Sequence, residues 1–156
     1  MVVGTTVSEQ VTLDILSSLR EIDGAPDHTH DLSQSVYRMG GNVLSLPSYP
    51  ACIVIDGGTE EDDSNVNGLI QVVHSYDIVV AASASDNDWS IEVRELLAEV
   101  TAKLREDWTR GGPAHTTRVD TSDAWDADSE GTGVVGGAVS VTVVYRHAYG
   151  DPTTPY

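Results

Sequence analysis

The sequence predicts a single α+β domain, in which a mostly antiparallel β-sheet packs against two main α-helices. Two stretches carry apolar residues at helical spacing, several others alternate apolar and polar residues, and the order along the chain is helix, strands, helix, strands. The chain has 156 residues, enough to bury a sizeable core, and it contains no internal repeat. We therefore assign residues 1–156 to one domain.

The first predicted element is a helix from about residue 8 to residue 22. Four apolar residues recur there at spacings of four, four and three, and so share one helical face: Val11, Ile15, Leu19 and Ile22. Ser8 is a suitable cap for the start of this helix, and Gly24 followed by Pro26 is a suitable stop.

The next predicted elements are strands and loops. Residues 25–50 are polar and rich in turn-forming residues, with short extended pieces at residues 36–39 and 43–46. The stretch ACIVIDGG is typical of a buried strand that ends at its two glycines, Gly57 and Gly58. The acidic stretch TEEDDSNVNG that follows, residues 59–68, is predicted to be a loop.

The stretch LIQVVHSYDIVVAAS predicts a long antiparallel strand. Six of its residues fall on one side of a period of two: Ile70, Val72, His74, Tyr76, Ile78 and Val80. Roughly fourteen residues of strand span about 46 Å, which is long for a globular domain. We therefore expect a bend in this strand, or an overhang beyond the body of the domain.

The second helix is predicted within DNDWSIEVRELLAEVTAKLREDWTRGGP. Its apolar residues form one stripe: Val93, Leu96, Leu97, Val100, Leu104 and Trp108. Asn87 or Asp88 can cap its start, and the Gly-Gly-Pro sequence that begins at Gly111 ends it. The charged residues between the apolar ones indicate a solvated helix face.

The chain closes on another predicted strand, AVSVTVVYRHAYGDP, after a short strand at residues 116–120 and a polar, Gly-rich segment. Four residues of the closing strand alternate onto one face: Val139, Val141, Val143 and Tyr145. Asp151 and Pro152 are expected to end the pairing, because proline lacks the N–H that a further ladder bond needs. Residues 153–156 are then free to reach a neighbouring subunit.

The charge of the chain limits its partners. There are 25 Asp and Glu against eight Lys and Arg, which gives a net charge of −17. Such a charge disfavours binding to DNA or to a membrane, since both are anionic. An acidic tail or a disordered acidic segment is one explanation, but the acids are spread along the chain. A surface adapted to very high salt fits better, because a Debye length of about 3 Å at 1 M salt mutes self-repulsion.

No constellation of residues indicates catalysis, a cofactor or a bound metal. The acidic residues that suggest a cation site are Asp120, Asp123, Asp126, Asp128 and Glu130. Their segment DADSEG resembles the start of a calcium loop, but Gly137 occupies the place of the bidentate Glu that such a loop needs. His28 and His30 have a spacing that suits two ligands on a strand, yet no third ligand is indicated.

Cys52 lies in an apolar run and is predicted to be a buried, unreactive side chain. As the chain's one cysteine, it leaves no intrachain disulfide to form. The first residues, MVVGTTVSEQ, lack a basic region followed by an apolar stretch, so no signal peptide is predicted. No apolar run approaches the roughly 18 residues of a membrane span, and a soluble protein is expected.

Five stretches together resemble the tail terminator proteins, also called tail-completion or minor tail proteins, of long-tailed double-stranded DNA viruses. The stretches are VTLDILSSLREIDG, YPACIVIDGGTEED, LIQVVHSYDIVVAAS, LREDWTRGGPA and VTVVYRHAYGDP. They correspond to an opening helix, a strand after a proline, a long central strand, a helix with an acidic-aromatic-Gly turn, and a final strand. The resemblance covers about residues 11–152 and is weakest at residues 25–50 and 121–133.

This resemblance implies a structural virion protein and not an enzyme. Such proteins form a ring, usually a hexamer, that stops polymerisation of the tail tube protein and joins the tail to the head–tail connector or stopper protein. DNA passes through the ring without sequence-specific binding. Together with the charge, the resemblance implies a virus of a halophilic archaeon, with virions assembled in the host cytoplasm.

Two alternatives remain at this point. One is another neck protein, such as the head-closure stopper, which is expected to be a small β-barrel with little helix. The other, less favoured, is a cation-binding or hydrolase domain that uses residues 120–130.

The candidate interface residues lie in polar segments and on the closing strand. They are Glu60, Glu61, Asp62, Asp63, Trp125, Tyr145, Arg146, Tyr149, Asp151 and Tyr156. Trp125 is the one large apolar residue of its polar segment, so it is the best anchor there. A tryptophan folded back onto its own subunit is the alternative.

Overall fold

A six-stranded, mostly antiparallel sheet with two helices on one face forms the framework of the computed structural model, which describes residues 4–24, 26–38, 46–63, 68–83, 89–121 and 134–156. The elements are α1 (Val7–Arg20), β1 (Val36–Arg38), β2 (Ala51–Asp62), β3 (Leu69–Ser83), α2 (Trp89–Glu106), β4 (Ala114–Thr121), β5 (Val134–Ala148) and β6 (Asp151–Pro155). This architecture confirms the predicted α+β class.

The order of strands in the sheet is β1-β2-β3-β5-β4, and β6 pairs with the end of β5 that β4 leaves free. β1 lies parallel to β2, and the other pairs are antiparallel. β3 and β5 are in register over their whole length, from Leu69 opposite Ala148 to Ser83 opposite Val134. β5 pairs with every residue of β3 and β2 pairs with most of them, so no part of β3 extends unpaired beyond the sheet.

α1 begins one residue before the predicted region and buries the predicted face. Thr6, not Ser8, is the N-cap: its hydroxyl accepts a hydrogen bond from the N–H of Glu9 at 3.2 Å. The four residues predicted to share a face are all fully buried: Val11, Ile15, Leu19 and Ile22. The helix ends at Arg20, two residues before the predicted end.

α2 confirms most of the predicted apolar stripe. Five of its residues are buried: Val93, Leu96, Leu97, Val100 and Leu104. Trp108, the sixth, is 58% exposed. The helix ends at Glu106, so the helical period no longer places Trp108 on the stripe, and the side chain of Arg110 is buried instead. The predicted caps at residues 87 and 88 lie outside the described residues.

The core lies between the helices and one face of the sheet. The six residues of β3 that were predicted to share a side are all buried, and so are the four of β5. α2 comes very close to β5 at Gly137, where a Cβ atom would lie 2.8 Å from Cδ1 of Leu97. A glycine at this position therefore sets the distance between the helix and the sheet.

β2 is longer than predicted and contains a bulge. The two glycines that were expected to end it, Gly57 and Gly58, instead lie together opposite the single residue Ser75, between the pairs Asp56–Tyr76 and Thr59–His74. Gly58 has a φ of 93°, which glycine adopts without strain. The strand then resumes, and residues 59–62 of the predicted loop belong to it.

The other strands differ from the predicted ones mainly at their ends. The extended piece at residues 36–39 is β1, while 39–45 lie outside the described residues. The strand predicted at 116–120 is longer, as β4, and the closing strand β5 begins four residues earlier than expected. The prediction that pairing ends at Asp151 and Pro152 is wrong: the chain reverses at Tyr149 and Gly150 and continues as β6.

Candidate functional site

The four acidic candidates lie at the far end of β2 and are exposed. Glu60 lies opposite Val73, and because side chains alternate along a strand, Glu60 projects from the sheet face opposite the helices. Glu61 lies opposite Val72, which is buried beneath the helices, and so projects from the helix side. Asp62 returns to the face of Glu60, and Asp63 follows the end of the strand. This end of β2 thus presents carboxylates from both faces of the sheet.

Tyr145 and Arg146, neighbours on β5, differ in what they can contact. Tyr145 is 2% exposed, and burial raises the pKa of its hydroxyl. It belongs to the core, as the alternation of β5 dictates, and its side chain is therefore not available for an intermolecular contact. Arg146 is half-buried on the other face, where its Nε and Nη2 atoms donate to Oε1 of Gln71 at 3.3 and 3.1 Å.

The last residues fold back onto their own chain. Tyr149 is 70% exposed at the turn into β6. The carboxylate of Asp151 accepts hydrogen bonds from the hydroxyl and the N–H of Thr153, and the hydroxyl bond is the main reason that the pKa of Asp151 falls to about 2. The N–H of Tyr156 donates to the carbonyl of Arg146 at 3.0 Å. Residues 153–156 are therefore not a free tail but pair with β5 of their own chain, while the Tyr156 side chain is 62% exposed.

The proposed acidic cation site lies mostly outside the described residues, as does Trp125. Asp120 is described: it is exposed on β4 and forms an ion pair with Nε of Arg118 at 3.0 Å. In the part of the chain that the structure describes, no group of three or more His, Cys, Asp or Glu side chains could hold a metal ion.

His28 and His30 point to different carboxylates and do not form a common site. His30 is buried against α2, with Nδ1 at 3.2 Å from the carboxylate of Glu99. His28 lies 3.6 Å from Asp23. Burial alone would raise the pKa of Glu99, but the N–H of Thr29 and the contacts with His30 outweigh it and hold this pKa below its usual value. Glu99 therefore fastens residues 29 and 30 to α2.

A buried polar cluster, which the sequence analysis did not identify, joins α1 to β2 and β3. Its members are Ser8, Thr12, Asp56, His74 and Tyr76. His74 and Tyr76 are each 1% exposed, and their rings stack with centroids 4.2 Å apart. The Tyr76 hydroxyl lies 2.8 Å from Oγ1 of Thr12 and 3.0 Å from Nδ1 of His74. Nε2 of His74 lies 2.7 Å from the Asp56 carboxylate.

The carboxylate of Asp56 determines how the protons are arranged in this cluster. A carboxylate only accepts, so Nε2 of His74 donates to Asp56, and in the neutral ring Nδ1 is an acceptor. Tyr76 then donates to Nδ1, so the contact between Thr12 and Tyr76 uses the proton of Thr12, for which the carbonyl of Ser8 at 3.0 Å is a competing acceptor. Burial alone would raise the pKa of Asp56, but the N–H of Gly58 and the His74 side chain outweigh it, and the pKa lies below its usual value. Asp56 therefore stays ionised and holds the histidine in place.

Ser8, His74 and Asp56 are also the residue types of a serine hydrolase triad, in which the histidine takes the serine proton. In this cluster Oγ of Ser8 is 3.4 Å from Nδ1, whereas the Tyr76 hydroxyl is at 3.0 Å. The nitrogen that would act as base is thus already occupied by a closer donor. The geometry fits a network that fixes α1 on the sheet better than it fits a nucleophilic site.

A second buried charge joins α1 to the end of α2. The Arg110 side chain is fully buried, and its Nη2 donates to the carbonyls of Leu104 and Asp107, which would otherwise lack partners at the helix end. Nη1 lies 3.3 Å from Oδ2 of Asp14. Burial raises the pKa of Asp14 and lowers that of Arg110, so both charges are costly to bury. They serve as a connection between the helices.

Of these groups, Ser8 borders a solvent-open pocket that Thr59, Glu61 and Tyr145 also line. The described helices include none that is long and apolar enough to cross a bilayer. Comparison of the chain with protein-family models and with curated protein sequences finds no match.

Proposed function

We propose that this chain is a structural protein of a virus neck, which forms a ring, hexameric by resemblance, at the head-proximal end of the tail tube. There it stops tube polymerisation, joins the tail to the head connector and lets DNA pass. The supporting observation is where the five motif stretches fall. They coincide with α1, β2, β3, the end of α2, and β5, the elements that build the sheet and its helical cover.

The charge supports the same proposal. A ring through which DNA passes must not retain it, and a subunit of net charge −17 repels phosphates. At molar salt the repulsion extends only about 3 Å, so it prevents adhesion at the wall without hindering passage.

The two helices favour a terminator over a head-closure stopper, for which a small β-barrel with little helix is expected.

The outer strands also indicate how subunits would meet. Arg20 donates to the carbonyl of Val36 in β1, and Arg105 to the carbonyl of Val119 in β4. Main-chain groups of both outer strands are thus partly engaged, which favours contacts through side chains over added strands.

The proposal is tested by light scattering in molar KCl, with and without the tail tube protein. A ring of six chains of 16.6 kDa has a mass of about 100 kDa. Class averages from electron microscopy should show a ring with an open centre, and the ring should bind tube ends and stop their growth. A protein that stays monomeric and leaves tube growth unchanged would contradict the proposal.

A further inference from the structure

Three large apolar side chains are exposed along one edge of the molecule: Leu13, Trp108 and Tyr156, at 48%, 58% and 62% exposure. We call these three residues the edge patch. They come from α1, from the turn after α2 and from the residue after β6, so no single element accounts for their exposure.

The contacts around the edge patch bring its members to the same edge. Leu13 lies on α1 between two residues that contact the other two elements of this edge. Gln10 donates to the carbonyl of Thr153 in β6 at 3.0 Å, and Asp14 contacts the turn after α2. Within that turn, a Cβ on Gly111 would lie 3.2 Å from Asp14. The carbonyl of Tyr156 contacts Nε2 of His115, just beyond the same turn. The patch therefore follows the seam where α1, the turn and β6 meet.

A carboxylate of fixed charge adjoins the edge patch. Asp107, next to Trp108, accepts hydrogen bonds from the N–H and hydroxyl of Thr109 and from the N–H of Gly111. The Thr109 hydroxyl is the main cause that lowers the pKa of Asp107, so this carboxylate is ionised near neutral pH. The edge patch thus has the ionised carboxylate of Asp107 at its border. A complementary partner surface would carry an apolar residue beside a positively charged one.

Such a surface exists at the start of α2 and consists of Ile91 and Arg94. We call these two residues the helix-start patch. Ile91 is 52% exposed, and Arg94, also exposed, lies three residues on and thus on the same helical face. The patch is roughly 25 Å from Trp108 along α2, at the rise of a helix.

Among the described residues, Arg94 is also the cation that is left available. In the described residues it has no hydrogen bond or ion pair. The other basic residues are each engaged with a carboxylate, a carbonyl or an amide of their own subunit: Arg20, Arg38, Lys103, Arg105, Arg110, Arg118 and Arg146.

We infer that the helix-start patch of one copy docks on the edge patch of the next copy, with Ile91 against Leu13 and Trp108, and Arg94 beside Asp107. The inference rests on the proposed function and names the contact that builds the ring. A second copy fits better than a cationic partner, because it supplies both halves of the complement. The two halves are different surfaces of one chain, and such a head-to-tail contact closes into a ring when its rotation allows.

High salt is compatible with this contact. At molar KCl the repulsion between two acidic subunits is screened beyond about 3 Å, while apolar burial remains and salts that are excluded from the surface strengthen it. Arg94 then selects the register rather than supplying most of the affinity. Assembly is therefore expected in molar salt and should fail in dilute buffer even before the fold is lost.

Assembly is tested with Trp108→Ser, which disables the edge patch, and Arg94→Glu, which disables the helix-start patch. Both side chains are exposed, so the variants should fold, as circular dichroism checks. Each should raise the protein concentration needed for assembly by about tenfold or more. Ile55→Ser, at an exposed apolar residue on the sheet face opposite the helices, is the matched control and should assemble as the wild type does.

Cross-linking identifies the contact directly. The double variant Ile91→Cys, Trp108→Cys, treated with a short bis-maleimide in molar KCl, should give a ladder of covalent oligomers up to the size of the ring. Each single variant should give no cross-linked dimer, because a head-to-tail contact never brings two copies of one residue together. Cys52 is fully buried and does not interfere.

The outcomes separate this inference from the proposed function. Rings that persist in both patch variants, or a double-cysteine variant that gives no ladder, would overturn the contact and leave the ring intact. Cross-linked dimers from a single variant would mean a symmetric contact and would also overturn it. A wild-type protein that is monomeric in molar KCl would overturn both.

Discussion

Tyr76→Phe removes one hydroxyl from the buried cluster without changing the shape of the core. In the wild type this hydroxyl receives a hydrogen bond from Thr12 at 2.8 Å and donates one to Nδ1 of His74 at 3.0 Å. The ring stays in place, because phenylalanine fills the same volume and keeps the stacking on His74. The substitution therefore measures the hydrogen bonds of the cluster and little else.

Removal of the Tyr76 hydroxyl affects its two hydrogen-bond partners, Thr12 and His74, unequally. Thr12 keeps an alternative acceptor, the carbonyl of Ser8 at 3.0 Å, so it remains satisfied. Nδ1 of His74 keeps only the Ser8 hydroxyl at 3.4 Å, and its ring is 1% exposed, so water does not replace the lost donor. A buried acceptor left without a good partner costs about 1–3 kcal/mol, and we expect a loss of about 2 kcal/mol in the free energy of unfolding. For a chain of this length that lowers Tm by about 4–8 °C.

The assay is thermal and denaturant unfolding in molar KCl, followed by circular dichroism. Tyr149→Phe is the matched control: the hydroxyl it removes is at the surface, and it should change the free energy of unfolding by less than about 0.5 kcal/mol. Thr12→Val should lose stability non-additively with Tyr76→Phe, since the two residues share a bond. If Tyr76→Phe were as stable as the control, the cluster would not hold α1 on the sheet.

Three further predictions concern charge and solvent. In ~20 mM salt, where the Debye length is about 20 Å, the net charge of −17 should loosen or unfold the protein, and a native circular dichroism spectrum there would contradict adaptation to high salt. Burial raises the pKa of the Cys52 thiol to about 12, so Ellman's reagent should label it only after unfolding, and rapid labelling of the folded protein would show that the strand opens. Glu99 has a folded-state pKa below its unfolded value near 4.5, so its contribution to stability is present above that pH and is lost as the pH falls. Glu99→Gln should therefore reduce the loss of stability at acid pH. An unchanged loss would assign it to other carboxylates.

The helices and long strands were predictable because each buries one face. Ile15 in α1 and Val141 in β5 sit on runs whose period matches their geometry, and burial follows that period. Glycine was misleading at Gly57 and Gly58, since the bulge that they form interrupts the register by one step and then lets the pairing continue. The turn at Tyr149 and Gly150 starts a local hairpin, with Ala148 opposite Asp151, and it was missed because Pro152 was expected to end the pairing.

The candidate site was less predictable, because it is assembled from distant residues. One signal was present: His74 lies in phase with the apolar residues of β3, which indicates a buried polar group in need of partners. Nothing in the sequence indicates that those partners come from α1 and from β2. The exposure of Trp108 likewise depends on the residue at which α2 ends, and helix ends are the least certain part of a pattern.

The pairing of β3 with β5 also determines when the protein can fold. Their rungs join residues between 51 and 79 positions apart in the chain, from Ser83–Val134 to Leu69–Ala148. Contacts of such long range require large loops to close, so we expect refolding over milliseconds to seconds rather than microseconds. During synthesis the centre of the sheet stays incomplete until β5 has left the ribosome. The sheet can thus be completed only after nearly all of the 156 residues have been made.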